Sequence, residues 1–350
     1  MKSYEIKIYS RVGKFKKSIN PRDILSEISF SEDLNGGQWS LNLEISGNIE
    51  NFEVSDIVEI REVSENSTSI IPTFTGIIEE IQVEEFETYD KISLEILGLH
   101  TLLGDFLYRE NNQRKFQKNG NIANIFREII DHLNTEYWDF SATETQNLGK
   151  KIFHYSDESI ENFSKNITLE IDNTTHLEAM NKITEISDYV FFIDATGLVT
   201  AKPKNNFEQK ILTLGREVIS FSQKIKKRDM CNSYIIDVDK VGSRTYNDQN
   251  SIQKYGKKEK VDSSSDIKTE PAMNDKWNEF IRENANPKSE ISLILKPQNS
   301  DFLYPWTRIT LQNIRNPLSE KQITKIDKNR DNWTIFIGDY VSFGKILSKN

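Results

Sequence analysis

The first hundred residues consist of short runs in which apolar and polar positions alternate. After the turn residues Asn35–Gly37, every second side chain is apolar, at Trp39, Leu41, Leu43 and Ile45. An alternation of period two is typical of a strand with one buried face, and Asn-Gly is a hairpin signal. We therefore predict a hairpin around Asn35–Gly37, with Trp39 on its buried face. Further strands are predicted at 24–30, 56–63, 74–83 and 92–96, and this series favours a small β-barrel or sandwich.

The pattern changes after residue 119, where apolar residues recur at helical spacing. One stripe predicts an amphipathic helix and contains Ile122, Ile125, Phe126, Ile129 and Leu133. A second helix is predicted to begin at Thr175, because the side chains of Thr175 and Glu178 have the spacing that satisfies two free backbone amides. Residues 189–201 then predict two strands around a turn at 194–197. The middle of the chain is therefore expected to be a small α+β module.

From Ile211 onwards the strand pattern returns. Strands are predicted at 218–221, 233–238, 290–295, 308–314, 322–326 and 332–337. The polar stretch 239–266 has few apolar residues and is predicted to be a long surface loop. A short helix is predicted around 273–281 and is ended by Asn286 and Pro287.

The two β-rich ends of the chain resemble each other. Segments 56–60, 76–81 and 91–96 share their alternation and spacing with segments 307–311, 322–326 and 333–337. One interpretation is an internal duplication of a single β-barrel. The alternative is that short alternating strands match by chance.

Composition supports a folded chain of several domains. The sequence has 350 residues, of which 36% are hydrophobic and 28% charged, and this balance is typical of globular proteins. A chain of this length exceeds one small core. We predict an α+β, β-dominated fold with three domains. These are a first β-barrel at 1–104, a helix-and-hairpin domain at 105–205, and a second β-barrel at 206–350 with an insertion at about 239–288.

Charge and cysteine content exclude several kinds of protein. The formal net charge of −9 argues against a grip on nucleic-acid phosphates, which needs clustered Lys and Arg. The single cysteine, Cys231, excludes an internal disulfide or a multi-cysteine zinc site and is expected to be a buried thiol. No stretch reaches the roughly 18–20 apolar residues of a membrane-spanning helix, so we predict a chain folded in a cytoplasm.

The sequence lacks the common catalytic motifs. It contains no Gly-x-Ser-x-Gly elbow, no phosphate-binding Gly-rich loop with Lys, and no His-Glu-x-x-His pattern. Its histidines are scattered, without a helical partner or a nearby carboxylate cluster, at His100, His132, His154 and His176. We therefore predict a non-enzyme with no metal and no cofactor. The alternatives from other classes are a peptidoglycan or glycan hydrolase, and a carbohydrate-binding module that uses Trp39, Trp306 or Trp333.

One strand-turn-strand segment is rich in acidic residues. Its members are Glu79, Glu80, Glu84, Glu85, Glu87 and Asp90, with almost no basic residue among them. One interpretation is a solvated hairpin, and the other is that these carboxylates line or rim a channel and repel phosphate. A basic patch could pair with the acids of a neighbouring subunit and consists of Lys224, Lys226, Lys227 and Arg228.

Several stretches resemble the baseplate hub family of tailed phages, also called tail-associated hub or tail tip proteins. Residues 33–37 and 74–78 resemble the start of that family's first barrel. Residues 177–183 and 191–197 are similar to its helix and hairpin, and residues 255–256, 306–314 and 323–337 are similar to its second barrel. The resemblance covers nearly the whole chain and depends on the order of the elements.

The resemblance implies a specific role. In that family, three subunits with two tube-type barrels each form a ring of pseudo-sixfold symmetry that continues the tail tube. The chain is then expected to be a homotrimeric structural protein of the virion tail tip. Its expected partners are a distal tail or tail tube protein on one side and a tip spike, fibre or tape-measure protein on the other, and DNA passes without specific binding. The hub of a phage-derived contractile injection system or bacteriocin is the alternative within the structural class.

Overall fold

The computed structural model confirms a β-dominated α+β fold. The residues that it describes are 3–11, 13–47, 52–64, 67–68, 71–137, 152–161, 166–187, 189–203, 209–227, 230–238, 242–263, 271, 274, 277–278, 280, 284–296, 303–314, 318–329 and 332–338. By contact they divide into two units, one of residues 1–220 with 293–350 and one of residues 221–292.

The N-terminal alternating segment folds into nine strands. They are β1 (Ser3–Tyr9), β2 (Phe15–Ile19), β3 (Phe30–Asp33), β4 (Gly36–Gly37), β5 (Ser40–Ser46), β6 (Ile57–Ser64), β7 (Ser67–Thr68), β8 (Phe74–Glu85) and β9 (Asp90–Gly98). Six of them form an antiparallel sheet in the order β2-β1-β6-β8-β9-β5, and β7 pairs with β6. Ile8 lies opposite Val58 in this sheet, and both are fully buried. Every second residue therefore enters the core, as the alternation predicts.

The middle of the chain folds as predicted into helices and short strands. The elements are α1 (Leu102–Asp105), β10 (Lys115–Asn121), α2 (Ile122–Tyr137), β11 (Asn166–Asp172), α3 (His176–Ile186), β12 (Tyr189–Ile193) and β13 (Val199–Pro203). The predicted stripe of α2 is buried in a cluster with residues from α3 and β12. At the start of α3, the Thr175 hydroxyl accepts from the Glu178 amide at 3.2 Å, and the Glu178 carboxylate accepts from the Thr175 amide at 2.8 Å. The capping box is confirmed.

The C-terminal part contains the remaining elements. They are β14 (Gln209–Thr213), β15 (Val218–Lys226), β16 (Ser233–Val238), β17 (Gly242–Asn247), α4 (Gln249–Tyr255), β18 (Glu259–Ser263), β19 (Lys288–Leu295), β20 (Arg308–Gln312), β21 (Leu318–Lys328) and β22 (Trp333–Gly338). A second large sheet has the order β14-β20-β21-β22-β19-β15. Its buried side chains alternate along β20, at Ile309 and Leu311, and along β22, at Ile335 and Ile337.

The two large sheets share one circular strand order. Six strands of each sheet, taken in chain order, are β1, β2, β5, β6, β8 and β9 in the first and β14, β15, β19, β20, β21 and β22 in the second. With the strands numbered one to six, the first sheet reads 2-1-4-5-6-3 and the second reads 1-4-5-6-3-2. The two orders are cyclic permutations of each other, so they differ only in which neighbouring strands are left unpaired at the sheet ends. One strand differs in direction, since β1 is antiparallel to β6 whereas β14 is parallel to β20.

Neither sheet is a closed barrel in the described residues, but the two end strands of each are linked by a short connection. In the first sheet, residues 20–24 follow β2 and bring the chain alongside β5. There the Leu25 amide donates to the Glu44 carbonyl at 2.8 Å. This link occupies much of 24–30, so the strand predicted there is wrong apart from Phe30. In the second sheet, β14 and β15 are joined by a turn in which the Gly215 amide donates to the Val218 carbonyl at 2.9 Å. Each sheet is therefore strongly curled.

The hairpin predicted around Asn35–Gly37 has the turn but not the expected strand pairing. Asn35 turns the chain with a left-handed φ of 58°. Before the turn, β3 pairs with β21, and after it, β4 pairs with β12. The following strand, β5, pairs with β9. This segment therefore joins the first sheet, the helical module and the second sheet within one compact unit.

Residues 221–292 form the second unit, and part of it was predicted as a loop. The stretch 239–266 instead contains β17, α4 and β18, which corrects that prediction. β17 and β18 pair with the two sides of β16. The Asp248 carboxylate caps α4 by accepting from the Ser251 amide at 2.9 Å. A local cap and strand pairing thus form structure in a segment with few apolar residues. The described positions between 271 and 284 are helical, as predicted.

The three-domain division at residues 104 and 205 stays a prediction. The first sheet and the helical module have separate buried clusters, one around Ile6, Leu43 and Phe74 and one around Phe126, Met180 and Phe191.

Candidate assembly surfaces

The acidic residues predicted to line or rim a channel lie on one long hairpin. It consists of β8 and β9, which pair from Gly76 and Gly98 down to Glu85 and Asp90. A bulge between Ile78 and Glu80 contains Glu79. Such a bulge adds one residue to a strand and shifts the phase of the residues that follow. It therefore decides which of the acidic side chains share a face.

The structure separates these acids onto two faces and a turn. Glu80 lies opposite Glu95, and Glu84 lies opposite Lys91, on the face away from the core. Glu85 lies opposite Asp90 on the other face, and Glu87 is in the turn. The sequence analysis missed Glu95, although it lies between the buried Leu94 and Ile96 in an alternating strand.

Glu80 and Glu95 are like charges directly opposite each other. Like charges directly opposite each other on neighbouring strands destabilise a sheet. Both side chains are exposed, which lessens that cost. Nearby, burial is the main cause that raises the pKa of Asp105, and the Glu79 carboxylate raises it further. This end of the hairpin therefore concentrates negative charge.

One basic residue, Lys91, contacts the acidic segment. The Lys91 ammonium lies 3.2 Å from a Glu84 oxygen and 3.4 Å from a Glu44 oxygen. Hydrogen bonding to Glu84, followed by the interaction with Glu44, raises the pKa of Lys91. Glu84 is therefore partly neutralised, whereas the opposed pair Glu80 and Glu95 is not bridged by this lysine.

The tip of the hairpin exposes two aromatic rings. Phe86 and Tyr89 are 48% and 46% exposed and stack with their centroids 5.1 Å apart at 19°. The Phe86 amide donates to the Tyr89 carbonyl at 3.0 Å and closes the turn. The sequence analysis gave no role to this pair, although two aromatic residues inside an acidic turn were a visible signal.

The predicted basic patch lies at the end of β15. Lys226 forms an ion pair with Glu290. This contact is the main cause that lowers the pKa of Glu290, and Lys224 lowers it further. Lys224 and Lys227 are exposed, as is Ile225 between them, which has 66% of its side chain accessible. Arg228 lies outside the described residues. One lysine of the patch is thus engaged within the chain, and two exposed lysines lie close in sequence to an exposed apolar side chain.

Two histidines that are far apart in the sequence meet in the helical module. His132 Nδ1 lies 2.9 Å from His176 Nε2, and His176 Nδ1 lies 2.8 Å from the Phe106 carbonyl. The ring of Tyr108 packs against both. Since His176 Nδ1 donates to the carbonyl, its Nε2 accepts from His132 Nδ1, and the His176 ring is neutral. Burial is the main cause that lowers the pKa of His176 to about 4.

The other candidate residues have ordinary structural surroundings. Cys231 is buried, as predicted, and its thiol lies 3.3 Å from the Ser233 carbonyl. Trp39 is 42% exposed and packs edge-on against His100, so its predicted burial is wrong. β5 begins only at Ser40, and the alternation therefore does not extend to Trp39. Trp333 is buried and Trp306 is half-buried against Phe192.

The part of the chain that the structure describes shows neither a metal cluster nor a membrane-spanning helix. No group of three or more His, Cys, Asp or Glu side chains there could hold a metal ion. None of the helices found there has the length and apolar character to cross a bilayer.

Comparison with solved structures identifies the fold. The chain aligns over 98% of its length with 99% of a 43 kDa tail protein of prophage MuSo2 from Shewanella oneidensis, at 13% identity and a TM-score of 0.63. It aligns over 98% of its length with 98% of a tail protein from Neisseria meningitidis, at 11% identity and a TM-score of 0.58. The chain has the fold of phage tail proteins. The expected resemblance to phage tail proteins is thereby confirmed at the level of the fold.

A related fold occurs in an assembly with other components. The chain aligns over 97% of its length with 58% of a chain of the Francisella PdpA-VgrG complex, at 10% identity and a TM-score of 0.51. At the level of sequence alone, no protein-family model and no curated protein matches the chain.

Proposed function

We propose that the chain is a structural, non-enzymatic hub subunit at the tip of a phage-type tail. Three copies form a ring that joins the tail tube or distal tail protein to a tip spike, fibre or tape-measure protein. The ring surrounds the passage through which DNA leaves the particle. The chain acts in the virion tail, and its mechanism is geometric: it matches symmetries and continues a pore.

The shared circular strand order of the two large sheets carries this proposal. A chain with two similar modules presents six modules when three copies assemble, and six modules can continue a sixfold tube. The similar segments 56–96 and 307–337 correspond in the structure to β6-β8-β9 and β20-β21-β22, which are the same part of the circle. We therefore propose an internal duplication and assign each large sheet to one tube-type module.

The open ends of the curled sheets fit a ring. Unpaired strand edges tend to pair with other chains, and closing a ring is one way to cover them. We propose that the division at residues 104 and 205 separates the modules, with the helical domain between them. The likeness to two tail proteins over nearly their full lengths supports a module arrangement of the same kind.

We propose that the acidic hairpin lines or rims the channel. Its outer face contains Glu80 and Glu95, which no lysine bridges among the described residues, and the chain as a whole has a net charge of −9. Negative potential repels phosphate, so DNA can slide past without binding. The acids nearer the tip, Glu85, Glu87 and Asp90, lie beside the exposed aromatic pair, farther along the hairpin than Glu80 and Glu95.

The oligomeric state tests this proposal. Light scattering after size exclusion, or native mass spectrometry, should give a mass three times that of the 40.7 kDa chain. Negative-stain images should show an annulus with an open or plugged centre. A chain that stays monomeric at high concentration, even with its tail partners present, contradicts the ring.

A second candidate is the hub of a contractile injection system, in which no DNA passes. The alignment with a chain of the PdpA-VgrG complex favours it, at a TM-score of 0.51. The two candidates differ in the particle that contains the chain. Antibody labelling of purified particles should decorate the tips of DNA-filled virions in the first case and of headless particles in the second.

A further inference from the structure

The aromatic tip of the β8–β9 hairpin has the chemistry of a docking element. Phe86 and Tyr89 form a rigid stacked pair that is about half exposed. Glu85, Glu87 and Asp90 surround it and cannot contribute apolar contact. Stacked aromatics give a large apolar contact at low entropy cost and are frequent anchors in interfaces. The acids around them favour a partner whose apolar site is bordered by positive charge.

A surface with that complementary chemistry lies on the same chain. At the end of β15, Ile225 is 66% exposed, and the exposed Lys227 follows two residues later. Because side chains alternate along a strand, Lys227 is expected on the side of Ile225, and Lys224 on the opposite face with Lys226. Lys226 is held by Glu290, so the strand end has a defined ion pair next to the two other lysines. An exposed apolar side chain at a lysine-rich strand end is the counterpart of an aromatic pair bordered by carboxylates.

We propose that the hairpin tip of one copy docks on the end of β15 of a second copy. The proposal rests on the proposed function, because it names the contact that builds the ring. Since the tip and the β15 end are different surfaces, each copy offers one of each, and the contact is head-to-tail. A head-to-tail contact closes into a ring when the rotation between copies permits it.

Both halves of the contact are present on this chain, and this argues for a second copy as the partner. DNA does not fit, because the carboxylates at the tip repel phosphate. An anionic membrane surface does not fit for the same reason. A different tail protein remains an outcome of the test.

Disulfide trapping tests the contact directly. Thr88→Cys places a thiol in the tip turn, and Gln223→Cys places one beside Ile225; the native Cys231 is buried, so its contribution is small. Two variants of different tag length, each with one introduced cysteine, should form a covalent dimer that contains one of each when they are mixed and oxidised. Thr88→Cys mixed with Ser243→Cys, an exposed position on β17, is the matched control and should stay uncrosslinked.

The double variant Thr88→Cys/Gln223→Cys separates the contact from the ring. Oxidised products that end at a trimer support both. A ladder that continues past three copies supports the docking and overturns the ring of three. A trimer by light scattering without tip-to-β15 disulfides overturns the docking and leaves the ring. A monomer without disulfides overturns both, and disulfides formed only with a tail partner overturn the choice of a second copy.

Charge exchange provides an independent check. Glu87→Lys and Lys227→Glu should each weaken self-association several-fold, and the two together should recover it, because the pair is restored with opposite sign. Phe86→Ala with Tyr89→Ala should weaken it by roughly tenfold or more, as expected for a central aromatic anchor. Equal association of all these variants and of the control Lys14→Glu overturns the proposal.

Discussion

Glu32 and Lys328, from opposite ends of the chain, form an ion pair of 2.7 Å inside one compact unit. Glu32 is 3% exposed, and its other oxygen accepts from the Gln38 amide group at 3.2 Å. The Lys328 ammonium also lies 4.5 Å from the centre of the Trp333 ring. The pair fixes the register between β3 and β21, since a shift of one residue would move Glu32 to the other face.

Removal of one partner should destabilise the protein strongly. Lys328→Met leaves the Glu32 carboxylate buried without a counter-charge, which typically costs about 3–5 kcal/mol. The free energy of unfolding, measured with urea, should fall by that order. In the double variant Lys328→Met/Glu32→Gln, most of the loss should be recovered. A double variant as unstable as the single one would mean that the packing of the lysine stem matters more than the charge.

The paired histidines predict a loss of stability at acidic pH. The pKa of His176 is lowered by burial to about 4, whereas it is near 6.5 in the unfolded chain, so the unfolded state binds more protons between these values. Stability should therefore be complete above pH of about 6.5 and decline as the pH falls toward 4, by up to about 3 kcal/mol.

Unfolding measured between pH 7 and 4 checks this decline. His176→Gln should flatten the curve, and His154→Gln, at an exposed position, should leave it unchanged. The pKa of His100 is also lowered to about 4 by burial, so some pH dependence should remain in the His176 variant. A curve with the same slope as the original would exclude His176 as its source.

Gly98 is expected to tolerate no side chain. A Cβ at this position would lie 1.5 Å from the Gln38 carbonyl oxygen, whereas a Cβ at Gly104 would meet nothing within 4 Å. Gly98→Ala should lower the free energy of unfolding by about 3 kcal/mol or more, because backbone has to move. Gly104→Ala lies in α1 and should stabilise by up to about 1 kcal/mol. Thermal unfolding of both variants measures the difference, and equal melting temperatures would contradict the close approach of the Gln38 backbone to the end of β9.

The acidic outer face predicts a change in DNA binding. Glu80→Lys with Glu95→Lys should produce weak DNA binding that decreases as salt increases, because the lysines would face the passage. Fluorescence anisotropy with a short duplex at about 50 mM salt measures this effect. The control Glu27→Lys/Glu158→Lys makes the same change in net charge at exposed positions elsewhere, and it should bind DNA more weakly. Equal binding by both variants would contradict a channel-facing position.

The sequence alone determined the local elements where one period dominates. The stripe of α2 and the alternation in β5, β9 and β22 gave the correct elements and faces, because each pattern depends only on which residues must be buried. The capping box at Thr175 was predictable for the same reason, since both partners lie within one turn. Where a pattern lost its period, as at Trp39 and in 24–30, the prediction was wrong.

Only the tertiary structure decided which elements meet. β3 pairs with β21 and β4 with β12, although the nearest alternating strand in the sequence is β5. Burial of Phe30 and of the β12 side chains outweighs the local hairpin. The meeting of His132 with His176, and the split of the acids over two faces, depend on a helix crossing and on one bulge. Local sequence specifies period and face, whereas pairing depends on the summed burial of residues far apart in the chain, which no local pattern contains.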